Sequence, residues 1–331
     1  MKRKIAVLIA FIIHTGQILA QGTVYPKDLT VAQDGSGQYK TIQEAVNAVR
    51  DLSQQIVNIH IKKGVYHEKL VIPSWKTKVH LIGDDKDGTI ITNADFSGKL
   101  YPGGSDAFGR DKFSTYTSYT VLVQGNDFSA ENLTIENASG RVGQAVALHV
   151  EGDRIHLKNC RLLGNQDTLY AATEKSRQFY EDCYIEGTTD FIFGEATAVF
   201  QNCILKSLAN SFVTAAATTP RQKFGYVFLG CKLIADQAVT KVFLGRPWRP
   251  YARVVFIHCE LGAHILPEAW NNWGNPENEK TVFYAEYGSH GQGPQPQARS
   301  RWSKQLTDTE SRDYTISNIL GGSDHWEPTN K

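Results

Sequence analysis

The feature that most constrains the fold is a short phrase that recurs along the chain: a turn-forming residue, a cysteine, then alternating polar and apolar residues. Counted from Leu133, which holds the cysteine position in an earlier copy, the steps are 27, 23, 20, 28, 28 and 23 residues. Such steps are too short for repeated strand–helix–strand units, but they suit a coil of three short strands. The sequence therefore predicts an all-β parallel β-helix. The positions that define the repeat are Leu133, Cys160, Cys183, Cys203, Cys231, Cys259 and, in Thr281-Val282-Phe283-Tyr284, Val282.

Because all five cysteines fall at one position of the repeat, we expect them to stack as a buried ladder, one on each rung. A zinc site is the alternative for a cysteine-rich chain, but such sites use closely spaced Cys-x2-Cys pairs, which the sequence lacks. No cofactor and no metal is therefore predicted.

The segment before the repeat fits the same coil. Residues 57–61 and 79–82 alternate as strands, about one coil turn apart. Thr41 and Glu44 have the spacing of a capping box, which predicts a helix over residues 42–51. A helix at this point would cover the open end of the coil, where exposed strand edges invite aggregation.

The C-terminal part of the chain carries a second capping box, Thr307 with Glu310. We expect this tail, with its aromatic residues Trp302, Tyr314 and Trp326, to pack back on the coil. Two long stretches without the repeat, residues 94–120 and 262–280, are predicted to be loops that form the walls of a cleft.

The first twenty residues have the pattern of an export signal: a basic start, a short apolar run and the small residue Ala20. We therefore divide the chain into a signal, residues 1–20, and a single domain, residues 21–331. We expect the protein to be exported, to the periplasm or the medium. No apolar run reaches the length of a membrane span, and a net charge of +1 does not suggest a nucleic-acid partner.

Two aspartates follow the repeat. Asp167 lies seven residues after Cys160, and Asp190 lies seven after Cys183. If the cysteines stack, the aspartates stack too, roughly 4.8 Å apart, and Gln144 falls on the rung below Asp167. Neighbouring carboxyls cannot both ionise freely, so one can serve as an acid while the other attacks. Aspartates that hydrogen-bond their own backbone in turns remain the alternative on spacing alone. Arg246 is a candidate cation for this pair.

Several segments, taken in order, resemble the pectin methylesterase (pectinesterase) family over nearly all of residues 28–328. That resemblance implies a right-handed parallel β-helix and an enzyme that removes methyl esters from homogalacturonan, releasing methanol. The matching segments are Asp34–Gly37, Thr41–Val46, Lys63–Glu68, Gln144–Leu148, Gly164–Tyr170, Asp190–Gly194 and Leu244–Trp248.

The same resemblance implies roles for individual residues. Asp190 matches the nucleophile and Asp167 the general acid/base. Gln144 and Gln166 match the donors to the oxyanion, and Arg246 matches the arginine that holds the nucleophile. Three further residues match aromatic positions of the sugar groove: Tyr170, Phe193 and Trp248. The implied partner is pectin, and we expect a monomer with no nucleic-acid or membrane partner.

Some alternatives stay open. Certain family members bridge the positions that match Cys183 and Cys203. A lyase, a polygalacturonase using the same aspartates, or a non-catalytic polysaccharide-binding β-helix would also suit the fold. Arg249 and Arg253 could form a solvated strand end or attract free carboxylates of the polymer.

Overall fold

The computed structural model describes residues 25–293 and 295–328, so the predicted export signal, residues 1–20, lies outside the described residues. The described chain winds into a right-handed parallel β-helix with three sheets, as predicted.

Sheet A has eleven parallel strands. In spatial order they are β1 (Asp28–Val31), β2 (Val57–Ile61), β5 (Val79–Gly83), β8 (Ser129–Glu131), β11 (Ile155–Lys158), β14 (Arg177–Glu181), β17 (Thr197–Gln201), β20 (Tyr226–Leu229), β23 (Arg253–Ile257), β25 (Phe283–Tyr287) and β27 (Lys304–Gln305).

Sheet B has nine strands and sheet C has seven. The strands of sheet B are β3 (Gly64–His67), β6 (Thr89–Asn93), β9 (Thr134–Asn137), β12 (Arg161–Leu163), β15 (Tyr184–Gly187), β18 (Ile204–Ser207), β21 (Lys232–Ala235), β24 (Glu260–Leu261) and β26 (His290–Gly291). Those of sheet C are β4 (Leu70–Ile72), β7 (Val121–Val123), β10 (Leu148–Val150), β13 (Leu169–Ala171), β16 (Ile192–Gly194), β19 (Phe212–Ala216) and β22 (Phe243–Pro247).

The recurring phrase marks the turn from sheet A to sheet B. The residue before each cysteine has a left-handed backbone, with φ between 49° and 61°. Asn, Asp and Gly tolerate this conformation better than other residues, which explains their prevalence there. The cysteine that follows is buried, and all five cysteines are free thiols, Cys183 and Cys203 included. The predicted ladder is confirmed. The left-handed residues are Asn159, Asp182, Asn202, Gly230 and His258.

One assignment within the repeat was wrong. The segment 281–284 was predicted to continue the cysteine series, but Phe283 begins β25, which pairs with β23 in sheet A. The next strand of the cysteine series is β26, where His290 pairs with Glu260. Gly288 supplies the left-handed residue of that rung. Alternating strands of sheets A and B have the same polarity pattern, so alternation alone could not tell them apart.

Stacked side chains fill the interior. Tyr180, Phe200, Phe228 and Phe256 occupy equivalent inward positions of sheet A, and their ring centroids lie 4.7, 4.6 and 4.3 Å apart. Each ring is almost parallel to the next. This geometry contributes dispersion energy beyond the buried area itself. The ring separations match the rung spacing that the backbone hydrogen bonds of a parallel sheet set.

Helices cover the first rungs of the coil and the outer face of sheet A. The capping box of Thr41 and Glu44 opens α1 (Ile42–Ala48), which stops three residues before the predicted end. Near the C-terminus, α2 (Asp308–Ser311) begins at the second capping box, and α3 (Ile316–Leu320) packs on the outer face of sheet A. Tyr314 and Trp326 join that contact, and Trp302 lies 5.8 Å from Tyr284, so the tail packs on the coil as predicted.

The two long loops leave the coil at the same corner. Residues 94–120 connect β6 of sheet B with β7 of sheet C, and residues 262–282 follow β24 of sheet B. The shorter connections from sheet B to sheet C run beside them. This edge, which we call the B–C corner, therefore carries most of the non-repetitive chain.

Candidate active site

A cleft of about 400 Å³ lies at the B–C corner. Both long loops contribute to its walls, as predicted, and the strands of sheet C form its floor. The residues that line it are Thr115, Tyr116, Gln144, Gln166, Asp167, Asp190, Phe193, Ala215, Arg246, Trp248 and Trp273.

The floor of the cleft follows one register line across sheet C. His149, Tyr170, Phe193, Ala215 and Arg246 are successive ladder partners on β10, β13, β16, β19 and β22. Because side chains alternate between the two faces of a strand, these five positions share the outer face. The parallel pairing thus carries four aromatic or charged side chains from distant parts of the sequence into one row.

Asp167 and Asp190 lie in equivalent turns, two residues before β13 and β16. The pairing of Leu169 with Ile192 keeps the 23-residue offset that the sequence predicted, so the aspartates occupy neighbouring rungs. Both have left-handed backbones, with φ of 67° and 50°, and both are buried, with 7% and 5% exposure. Both lie in turns, but their side chains line the cleft, and the Asp190 carboxylate bonds Arg246, which differs from the alternative of a bond to its own backbone.

Asp190 is held by a bidentate ion pair. Arg246 donates from Nε to Oδ1 at 2.9 Å and from Nη2 to Oδ2 at 2.7 Å. Burial raises the pKa of Asp190, and the hydrogen bonds and charge of Arg246 oppose that rise. A fork-shaped contact of this kind also fixes the plane of the carboxylate.

Asp167 has the opposite environment. Burial is the main cause that raises its pKa to about 8, the negative charge of Asp190 adds to the rise, and Arg246 opposes it. Asp167 is therefore protonated at neutral pH. The two carboxyl groups on adjacent rungs therefore have different electrostatic environments, because Arg246 forms hydrogen bonds with Asp190 and not with Asp167.

Gln144 and Gln166 both line the cleft and form an isolated parallel bridge with each other. Gln144 does lie on the rung below Asp167. Its ladder partner is Gln166, however, so the prediction that Gln144 lines up with the two carboxylates is off by one residue. The position of Gln144 depends on the irregular segment near Arg141, whose length does not follow the repeat. Both amides still face the space next to the aspartates.

The predicted aromatic residues come together. Tyr170 stacks on Phe193 with centroids 4.5 Å apart and planes 8° apart, and Trp248 lies 5.9 Å from Phe193. Phe193 and Trp248 line the cleft. Tyr170 is 7% exposed and packs beneath them with Val146 and Ala172, so it supports the floor.

Sequence reasoning predicted both wall loops but did not single out Thr115 or Tyr116. Thr115 and Tyr116 come from the predicted wall loop, residues 94–120, and Tyr116 is 5.6 Å from Tyr170. Trp273 lines the opposite side, whereas Trp270 is 2% exposed and packs in the core. Of the two tryptophans in the predicted wall loop, residues 262–280, Trp273 reaches the cleft and Trp270 does not. The wall loops have no repeating pattern. Their aromatic residues were therefore the one sequence feature that indicated which side chains line the cleft.

Asn137 anchors one wall of the cleft, the loop of residues 94–120, to the coil. Its side-chain amide donates to the carbonyls of Asp95, Ser118 and Val146 at 2.9, 3.1 and 3.0 Å. Asp95 and Ser118 stand at the two ends of the loop that carries Tyr116. Asn137 is 2% exposed, so the sequon that it begins is closed to glycosylation in the folded protein.

The two arginines beyond Arg246 separate. Arg249 is exposed and lies 4.9 Å from the ring of Trp248, at the edge of the cleft. Arg253 belongs to β23 of sheet A and is not a cleft residue.

Within residues 25–293 and 295–328, no group of three or more His, Cys, Asp or Glu side chains is arranged to hold a metal ion. No helix in this same part of the chain is long and apolar enough to span a membrane.

Comparisons with known proteins agree on one family. The Pectinesterase family model matches residues 28–323. Pectinesterase 31 of Arabidopsis thaliana is 37% identical, over 85% of this chain and 88% of that protein. Three longer A. thaliana relatives, named as pectinesterase/pectinesterase inhibitors, are 38% identical, but the chain spans only 41%, 45% and 53% of their lengths.

Solved structures agree as well. The carrot pectin methylesterase is 34% identical, with a TM-score of 0.81 over 91% of this chain and 95% of that chain. A pectin methylesterase solved in complex with a hexasaccharide is 31% identical, with a TM-score of 0.77 over 93% of this chain and 100% of that chain.

Proposed function

The chain belongs to the pectinesterase family, and from this premise we propose that it hydrolyses the methyl esters of pectin, releasing methanol and leaving free galacturonate carboxylates. The proposal extends to the substrate, methylated homogalacturonan, and to the roles of the cleft residues.

The observation that carries the proposal is the contrast between the two aspartates. Asp190 forms a bidentate ion pair with Arg246, whereas the pKa of Asp167 is about 8. An ester hydrolase that uses a carboxylate nucleophile needs one ionised carboxyl and one protonated carboxyl side by side. This pair meets that requirement at neutral pH.

The first half of the reaction makes an acyl-enzyme. The ionised carboxylate of Asp190 attacks the carbonyl carbon of the methyl ester, and negative charge builds on the carbonyl oxygen. The side-chain amides of Gln144 and Gln166 donate hydrogen bonds to that oxygen. Asp167 gives its proton to the departing methoxide, so methanol leaves and a mixed anhydride with Asp190 remains.

The second half restores the enzyme. Asp167, now ionised, takes a proton from a water molecule, and the resulting hydroxide attacks the anhydride. The bond between the acyl carbon and Asp190 breaks, so Asp190 returns to its ionised form against Arg246. The product carboxylic acid loses its proton to solvent at neutral pH.

The shape of the cleft supports a polymeric sugar substrate. Phe193, Trp248, Tyr116 and Trp273 present aromatic surface on both sides of the aspartates. Aromatic faces suit the apolar faces of sugar rings, and a structural neighbour was solved with a hexasaccharide. Arg249, at the edge, is placed to attract the free carboxylates of a partly de-esterified chain.

The deciding experiment combines product analysis with one variant. On methylated pectin, the esterase releases methanol and acid with the polymer intact. A lyase would produce unsaturated ends, a glycosidase would produce reducing ends, and a binding protein would produce none of these. Asp190→Ala should fold and release no methanol. Near-normal methanol release by this variant would exclude Asp190 as the nucleophile.

A matched control is available in the same chain. Asp182 also has a left-handed backbone, with φ of 53°, but it is exposed on the turn from sheet A to sheet B. Asp182→Ala should keep full activity. If both variants lose activity alike, the loss reflects the turn conformation and not the chemistry.

We further propose that residues 1–20 are removed on export, to the periplasm or the medium, and that residues 21–331 act as one monomeric domain. Members of the pectinesterase family are secreted cell-wall enzymes, which supports export. The mass of the exported protein, and its size in solution, test these two points.

A further inference from the structure

The guanidinium of Arg246 lies between two aromatic rings. Its Cζ atom is 4.0 Å from the ring centroid of Phe212 and 3.8 Å from that of Trp273. Both distances are well inside the range of cation–π contacts. The cation that pairs with Asp190 is therefore also in contact with two aromatic rings.

Phe212 also holds the partner of that cation. Its backbone carbonyl accepts a hydrogen bond from the N–H of Asp190 at 2.9 Å, which anchors a residue in the left-handed conformation. The Phe212 ring stacks on Phe243, its ladder partner, with centroids 5.3 Å apart and planes 15° apart. Phe243 thus supports the Phe212 ring from β22, the strand that also carries Arg246.

Phe212 differs from Trp273 in one respect that matters for a test. Trp273 lines the cleft and is 39% exposed, so any change there also alters substrate contact. Phe212 is half-buried and is not among the residues that line the cleft. A change in the Phe212 side chain therefore removes no residue that lines the cleft, and within the described chain its contact with the site is through Arg246.

We propose that Phe212 is a positioning residue, which keeps Arg246 in bidentate contact with Asp190 and so keeps the attacking carboxylate ionised in acid. The inference rests on the proposed role of Asp190 as nucleophile. Without the ring, the guanidinium gains rotational freedom and access to water. Its hold on Asp190 weakens, and protonation of Asp190 becomes easier.

Three ionisable groups act on Asp190 from the elements packed around it. Arg246 approaches from β22 and Asp167 from the turn before β13. The phenol of Tyr284 lies within electrostatic reach from β25, in the interior. Of these three groups, Arg246 is the one in contact with the Phe212 ring, so removal of the ring should alter the ionisation of Asp190 through Arg246.

The test is the pH profile of kcat/KM on methylated pectin for Phe212→Leu. Activity requires ionised Asp190, so it falls as the pH drops through the apparent pKa of the coupled pair. We expect the acid limb to move to higher pH by about 0.5 to 1 unit, which lowers kcat/KM in acid by about 3- to 10-fold. Phe212→Tyr keeps the ring and should keep the wild-type limb.

Phe283→Leu is the matched control. Phe283 is also a half-buried aromatic residue at the start of a strand, with an arginine, Arg253, 5.6 Å from its ring, but it lies on sheet A. Its removal should leave the limb unchanged. If Phe212→Leu does not fold, Phe212→Met retains the volume without the ring.

An unmoved acid limb in the folded variant, or an equal shift in Phe283→Leu, overturns the inference. Either of these results can be distinguished from a failure of the proposed function. If Asp190→Ala still releases methanol, the nucleophile is wrong; if Asp190→Ala is inactive and the Phe212→Leu limb is unmoved, only the role of Phe212 is wrong.

Discussion

Replacing Asp167 by asparagine should stabilise the folded protein, and more so as the pH rises. The pKa of Asp167 is about 8 in the folded protein against 3.8 for an ordinary aspartate. The folded state therefore binds this proton more tightly than the unfolded chain does, so ionisation costs stability as the pH rises between these two values. Below about pH 4 both states hold the proton, and this cost disappears.

The size of the effect follows from the shift. A difference of about 4 pKa units, at about 1.4 kcal/mol per unit, corresponds to a cost of about 6 kcal/mol once Asp167 is fully ionised. Around two-thirds of that range lies between pH 5 and pH 8. The free energy of unfolding of Asp167→Asn, relative to the wild type, should thus increase by about 4 kcal/mol over this interval.

Urea unfolding of both proteins at pH 5 and pH 8 measures that increase. The comparison across pH removes the constant cost of placing an amide in the pocket, and asparagine also tolerates the left-handed backbone that Asp167 adopts. Asp182→Asn, which changes an exposed aspartate of the same conformation, should show no such increase. If Asp167→Asn and the wild type differ by the same amount at both pH values, Asp167 is not protonated in the folded protein.

Two further predictions concern the cleft. Gln166→Ala should lower kcat on methylated pectin on the order of 100-fold while the thermal unfolding midpoint stays within a few degrees of the wild type; an unchanged kcat would remove Gln166 from the oxyanion site. Asn137→Ala removes the side-chain donor to the carbonyls of Asp95, Ser118 and Val146, of which Val146 keeps the N–H of Thr120. It should lower the free energy of unfolding by about 3 kcal/mol and raise KM, because the loop that carries Tyr116 loses its anchor to the coil. Urea unfolding and steady-state kinetics measure the two effects, and a KM equal to that of the wild type would show that the loop is held independently of Asn137.

The parts of the structure that follow the repeat were predictable. At the turn from sheet A to sheet B the repeat places a left-handed residue before a buried one, as at Asn159 and Cys160. Asp167 and Asp190 could be aligned because both lie seven residues after a cysteine and the intervening segments have equal length. Where successive rungs contain segments of equal length, the sequence spacing thus predicts which residues lie on neighbouring rungs.

The remaining parts depend on contacts that the repeat does not specify. The register of Gln144 depends on an irregular turn, and Trp273 reaches the cleft through a loop that replaces a whole sheet C strand. The approach of Phe212 to Arg246 joins residues 34 positions apart, and its distance depends on how two strands pack at the end of sheet C. The resemblance to a family implied the chemical roles of the site residues. The contacts that hold those residues in place became visible only in the structure.

The B–C corner has a consequence for how such a protein can change. The rungs that hold the aspartates are fixed by ladders and stacked rings on the other two sides of the coil. Insertions at the corner can therefore lengthen, shorten or replace the walls without disturbing the carboxyl spacing. Substrate preference and catalytic geometry can evolve separately in this architecture, because they are encoded in different segments of each turn.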